Sequence, residues 1–323
     1  MGEPASVEGH VPFRGFRTWY RVVGEGEAPG RSPVLVLHGG PGTGHDYLEP
    51  LVALAASGRR VVFYDQLGCG RSDHPHDPSL WSVGLFVEEV AAVRAALGLS
   101  RVHLLGQSWG GMLALEVALA RHPGLVSLVL ADSLASVPIW TAEMNRLRGE
   151  LPAEVREVLA RHEAAGTTGS PEYQEAVMVF YRRHLCRLDP FPGCVERTFA
   201  NLAADPEVYN TLWGPSEFYA TGRLKGWDVT PRLGEIRLPT LVLSGRFDEA
   251  TPAIAEALRL GIAGSERVTF EESSHMPHVE ETDRFLSVVG DFLARAEERA
   301  QAEAPRPGSR VGRAAGPGDD PRP

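Results

Sequence analysis

The sequence predicts an α/β protein: a mostly parallel central sheet flanked by helices, with a helical cap inserted late in the sheet. Three observations predict it. Short Val/Leu-rich runs recur along the chain, and helical patterns lie between several of them. The alternation then breaks over about residues 134–233 and resumes afterwards.

The strand runs are residues 34–37, 61–65, 102–105, 125–131, 240–244 and 267–271. Each is nearly continuous in apolar character, as expected of strands buried on both faces. Helical patterns cover 85–97 and 110–121, and Pro123-Gly124 stops the second. The stretch 134–233 reads as mainly helical. Within it, Ser170-Pro171-Glu172 is a helix start, with Ser as N-cap and Pro at the first helical position. Val177, Phe180, Tyr181 and Leu185 then share one face. The expected division is a core of residues 1–133 and 234–298, a cap of 134–233, and a tail of 299–323. The tail is rich in Pro, Gly, Ala and Arg and nearly devoid of large apolar residues, which predicts disorder.

A chain of 323 residues suits one large domain with an insertion. The net charge of -10 argues against a nucleic-acid partner, since such binding draws on Lys and Arg against phosphate. No apolar run is long enough for a membrane span, and residues 1–10 contain no secretory apolar region. Met1-Gly2-Glu3-Pro4-Ala5-Ser6 fits a loose myristoylation pattern, read as coincidence because nothing basic follows it. Cys69, Cys186 and Cys194 are odd in number and lack Cys-x-x-Cys spacing. They predict free thiols, a cytoplasmic protein, and neither a disulfide framework nor a zinc site.

Chemistry concentrates in a few loops. Gly106-Gln107-Ser108-Trp109-Gly110 follows the run 102–105 and opens the helix at 110. A serine nucleophile needs such a sharp strand-to-helix turn to lift its oxygen above the sheet, and small residues permit the turn. The helix N-terminus favours developing negative charge. Serine also needs a base, oriented in turn by an acid. His275 follows the run 267–271 and is the favoured base. His278, further into the same loop, is its competitor. Asp248, after the run 240–244, is the favoured acid. Asp132 also ends a strand run and is the alternative, with a structural role expected. For the tetrahedral oxyanion, the backbone N–H groups of Trp109 and of Gly40, in His38-Gly39-Gly40-Pro41-Gly42, are the candidate donors, each worth about 3 kcal/mol. No metal or cofactor is required by this set.

Several segments together carry a resemblance: His38-Gly-Gly-Pro-Gly42, Tyr64-Asp-Gln-Leu-Gly-Cys-Gly-Arg-Ser72, Gly106-Gln-Ser-Trp-Gly-Gly111, Trp213-Gly-Pro-Ser-Glu-Phe218, Gly245-Arg-Phe-Asp-Glu249 and Ser274-His-Met-Pro-His278. They resemble the proline iminopeptidase family of α/β-hydrolases, with its amino-acid amidase relatives. The resemblance implies release of an N-terminal residue, often proline, from a short peptide or amide. It also implies that Glu217 and Glu249 hold the free amino end of the substrate. Physical chemistry supports that carry-over, because an ammonium entering a water-poor pocket must meet negative charge. Among nearby aromatic residues, Trp109, Trp213, Phe218, Tyr219 and Phe247, the expected pocket walls are Trp109 and Phe218. The alternatives are an amidase without peptide preference, an esterase, lactonase or thioesterase, and a non-catalytic binder on the same scaffold. The expected partner is a small molecule or short peptide with a free amino end, with no nucleic acid and no membrane.

Overall fold

The computed structural model describes residues 5–303. Its eight strands are β1 (Ser6–Phe13), β2 (Phe16–Val23), β3 (Val34–Leu37), β4 (Val61–Tyr64), β5 (Val102–Gln107), β6 (Leu125–Ala131), β7 (Thr240–Gly245) and β8 (Glu266–Phe270). They form one sheet in the order β1-β2-β4-β3-β5-β6-β7-β8. The pairs β1–β2 and β2–β4 are antiparallel, and every later neighbour is parallel.

The continuous apolar runs are explained by two covered faces. Leu35, Leu37, Val62, Leu104, Leu128 and Val242 point into one core layer. That layer contains α1 (Val83–Ala96) and α2 (Trp109–Leu119). The intervening residues Val34, Val36, Val61, Leu105, Val129 and Leu243 point into the other. There they meet the 3-10 segment Asp46–Ser57 and Phe285, Val289 and Phe292 of the last long helix. Successive residues of a strand face opposite ways, so burial on both sides makes every position apolar.

The hairpin β1–β2 is absent from the sequence reading. β1 exposes most of its first half and buries only Val11 and Phe13. An antiparallel edge with one wet face lacks the continuous apolar signal of the inner strands.

Between β6 and β7 the chain makes α3 (Val137–Gly149), α4 (Ala153–Ala165), α5 (Pro171–His184), α6 (Gly193–Ala204) and α7 (Glu207–Leu212). Ser170 caps α5, its hydroxyl accepting from the Tyr173 N–H at 3.2 Å. A single bridge, Ser136 to Asp228, closes the neck where this excursion leaves and returns. After β7 follow α8 (Pro252–Gly261), α9 (Pro277–Glu280) and α10 (Thr282–Glu303). Residues 299–303, expected in the tail, instead extend α10; Ala296 and Glu297 are buried just before them, so the last turns continue an anchored helix. Residues 304–323 of the expected tail lie outside the described residues. Among the described residues, no helix is long and apolar enough to cross a membrane.

Candidate active site

The C-terminal ends of β3, β5, β6 and β7 converge on one rim, and the candidate residues sit there. Ser108 joins β5 to α2 with φ 54° and ψ -121°, a sparsely populated conformation for a residue with a side chain. The turn is possible because its neighbours lack side chains. A Cβ on Gly106 would collide with the Gly110 carbonyl, and one on Gly110 with the Leu37 carbonyl. The elbow is therefore pressed against the end of β3 as well as closed on itself.

His275 comes from the loop between β8 and α9. Its Nδ1 lies 2.6 Å from Asp248 Oδ1. A carboxylate only accepts, so Nδ1 carries the proton and the Nε2 lone pair faces the site. Asp248 Oδ1 also accepts from the Ala250 N–H at 2.7 Å, which orients the carboxylate. His278, the competitor, is neutral: burial pushes its pKa down to about 3. It lies in the first turn of α9, and its Nε2 donates to the Tyr47 carbonyl at 3.1 Å. Asp132, the alternative acid, ends β6 beside Asp248. Its Oδ1 accepts from the Gly245 N–H at 3.3 Å. Burial, then the neighbouring Asp248, hold its carboxyl well above the usual range. Its hydrogen bond goes to the β7 backbone, whereas the imidazole bonds to Asp248.

Ser108, His275, Gly40, Gln107 and Glu217 line a narrow cavity of about 50 Å³, whose apolar side is formed by Tyr181 and Leu185 at the end of α5 and by Val195, Phe199 and Leu202 of α6. Gly40 and Trp109 N–H are not engaged by any protein acceptor among the described residues. Glu249 is fully buried, and its Oε1 lies 3.6 Å from His275 Nε2. Among the described residues, neither Glu249 oxygen has a hydrogen-bond partner. Burial, then Glu217 and Asp248, push its carboxyl well above the usual range. Burial also raises Glu217, opposed by a hydrogen bond from Tyr209 and by His275. The Tyr209 hydroxyl donates to Glu217 Oε1 at 2.7 Å, and the Trp140 and Trp213 indoles donate to its backbone carbonyl at 3.1 and 3.2 Å.

Two expected wall residues stand elsewhere. Phe218 is packed between α3 and α5, its ring 5.0 Å from Phe180 and beneath the Arg148 guanidinium. The Trp109 indole turns back into the core, donating to Gln66 Oε1 at 2.8 Å and meeting Phe86 edge-on. In each case the side chain found an apolar or hydrogen-bonded partner inside its own layer, and neither residue lines the cavity. Tyr47, Gln107, Tyr209 and Trp140 are site residues that the sequence reading missed. Gln107 alone stood inside a motif, at its variable position.

The model of the alpha/beta hydrolase fold matches residues 32–282. A proline iminopeptidase of Heyndrickxia coagulans is 42% identical over 287 residues, covering 89% of this chain and 98% of that protein. The crystal structure of VinJ superposes with a TM-score of 0.88 at 45% identity, over 91% of this chain and all of that one. That of a Mycobacterium smegmatis proline iminopeptidase gives 0.84 at 43%, with the same coverage. With these relatives matched along nearly their whole length, the chain belongs to the proline iminopeptidase family of α/β-hydrolases.

Proposed function

We propose that this hydrolase releases an N-terminal residue, proline foremost, from short peptides or amino-acid amides through an acyl-enzyme. The observation that carries the reading is Glu249. A buried carboxyl with two unpartnered oxygens is costly, and among the described residues no Lys or Arg pairs with it; the one basic side chain within 4 Å is His275, whose Nε2 lies 3.6 Å away. A substrate ammonium between Glu249 and Glu217 supplies the missing charge.

In this mechanism the ammonium docks first and sets the scissile carbonyl over Ser108. Ser108 Oγ attacks the carbonyl carbon while its proton passes to His275 Nε2. Asp248 holds the imidazole in the required tautomer and stabilises the imidazolium. The Gly40 and Trp109 N–H groups bind the oxyanion. His275 then gives its proton to the leaving amine, and water, deprotonated by the same nitrogen, clears the acyl group. The cap, taken as residues 134–233, supplies Glu217; the core, residues 1–133 and 234–298, supplies the rest. The proteins named proline iminopeptidase among its relatives support the choice of proline. Three unpaired cysteines support a reducing, cytoplasmic location.

Cleavage of proline p-nitroanilide against its N-acetylated form tests the reading. We expect the free amine to react at least about 30-fold faster, the lower bound for an uncompensated buried charge. Equal rates would overturn it.

A further inference from the structure

We propose that Tyr47 and Gln107 form a positioning pair that straps together the three loops of the site and selects which N–H of the 38–42 loop is left for the oxyanion. The inference rests on the reading of Ser108 as nucleophile given above.

Hydrogen-bond chemistry leaves the strap one arrangement. Gln107 Nε2 lies 3.0 Å from the His275 carbonyl, which only accepts, so the amide nitrogen belongs on that side. Gln107 Oε1 then faces the Tyr47 hydroxyl at 2.5 Å. Tyrosine has one proton, and it is spent on this oxygen. A Tyr47 lone pair is therefore what accepts the Gly39 N–H, at 2.7 Å. One continuous path runs from the oxyanion loop through Tyr47 and Gln107, beside the nucleophile, to the histidine loop.

The consequence lies in the choice of donor. Gly39 N–H is occupied by Tyr47, whereas the next one, at Gly40, is free of protein acceptors among the described residues. Gly40 has φ 102°, a left-handed turn that points successive N–H groups in different directions. The contact is tight. A Cβ on Gly39 would stand 2.8 Å from both Gln107 Oε1 and Tyr47 Oη, and 3.1 Å from Ser108 Cβ. Tyr47 is itself held on every side. Its N–H donates to Thr198 Oγ1 of the cap at 3.1 Å, its carbonyl accepts from His278, and its ring meets His278 edge-on with centroids 5.5 Å apart. His278, three residues after the base, thereby becomes a support for the strap.

Tyr47→Phe keeps the ring and its packing but deletes the proton and the lone pair. Gln107→Met keeps the length of the side chain and deletes both bonds. Two rates are read: turnover of proline p-nitroanilide, and inactivation by a fluorophosphonate, which carries no amino end. Each variant should lose about 10–100-fold in kcat and in inactivation rate, the scale of a small misplacement of reacting groups. KM should stay within about twofold, because the ammonium site is untouched. The double variant should lose no more than the worse single one, since both break one path. An inactivation rate unchanged in both variants, an additive double loss, or a loss confined to KM would each overturn the proposal. Should Tyr47→Phe fail to fold, Gln107→Met carries the same comparison. Inactivation does not depend on amino-end recognition, so failure of that recognition, seen with the N-acetyl substrate, is read separately.

Discussion

Glu297 and Glu249 are both buried glutamates of the sheet domain, but they lie at opposite ends of the parallel strands and are treated in opposite ways. Glu297, on α10, sits below the start of β3, β4 and β5. Its oxygens accept from the Ser32 N–H, the Arg31 and Arg59 guanidinium groups and His103 Nε2, all between 2.8 and 3.3 Å. Although burial opposes it, this set of donors drives its pKa down to about 2. Glu249, at the rim, has no hydrogen bond to either oxygen among the described residues and is driven the other way. Burial alone therefore says little about a charged residue. What separates a structural acid from one awaiting a ligand is whether the protein itself satisfies it.

The comparison can be broken most directly at Glu297. Glu297→Gln strands the buried Arg59 guanidinium and should cost about 3–5 kcal/mol of stability, read by denaturant unfolding. Activity per folded molecule should not change. Glu249→Gln should invert that pattern. Its kcat/KM on free-amino substrates should fall by about 2–5 kcal/mol in transition-state terms, with stability unchanged or improved. A loss of stability in Glu249→Gln equal to that of Glu297→Gln would erase the distinction.

Titration sharpens it further, because the signs differ. The Glu297 pKa is depressed, so its contribution is present above the unfolded value and is lost as pH falls toward about 2. The drop from 4.5 to about 2 corresponds to about 3 kcal/mol. The Glu249 pKa is raised, so its contribution is present below the unfolded value and is lost as pH rises through the folded one. Thermal midpoints across pH should show Glu297→Gln flattening the acid limb and Glu249→Gln removing the decline that Glu249 imposes as pH rises above the unfolded carboxylate range. An ammonium ligand needs the ionised carboxylate, so binding should expel a proton. Calorimetry of pyrrolidinium binding in buffers of different ionisation enthalpy measures that release, and Glu249→Gln should reduce it.

The smallest effect belongs to a third acid. Glu89 accepts from Thr18 Oγ1 and from the Leu67 N–H but has no cationic partner among the described residues, and burial pushes its pKa up to about 8. It is already a neutral acid at pH 7, so Glu89→Gln should change unfolding free energy by no more than about 1 kcal/mol. A large loss would mean that Glu89 is ionised and paired.

Much of this was legible in the chain because it depends on neighbours in sequence. The inner strands announced themselves through continuous apolar runs, and Ser108 through small residues at a strand–helix junction. The two rivalries were not resolvable there. His275 and His278 lie three residues apart, and Asp132 and Asp248 follow adjacent paired strands, so spacing permits either member. Asp248 is 27 residues from His275 and meets it at 2.6 Å, whereas His278 turns to Tyr47. Phe218 lay in a motif yet packed against Phe180 of α5, because an aromatic ring takes whatever apolar surface surrounds it. Tyr47 and Tyr209 lay outside the quoted motifs, since a hydroxyl acquires its role only from what folds against it.

By itself the sequence determined the alternating sheet, the helical insertion, the elbow at Ser108 and the short set of acids and histidines from which the site is drawn. These follow from local sterics and periodic burial, which act over a few residues. Only the tertiary structure decided which histidine meets which aspartate, which glutamate is left unsatisfied, and how Gln107 reaches a carbonyl 168 residues away. Such partnerships depend on side-chain direction and on exclusion of water between distant segments, and neither is written in the order of residues.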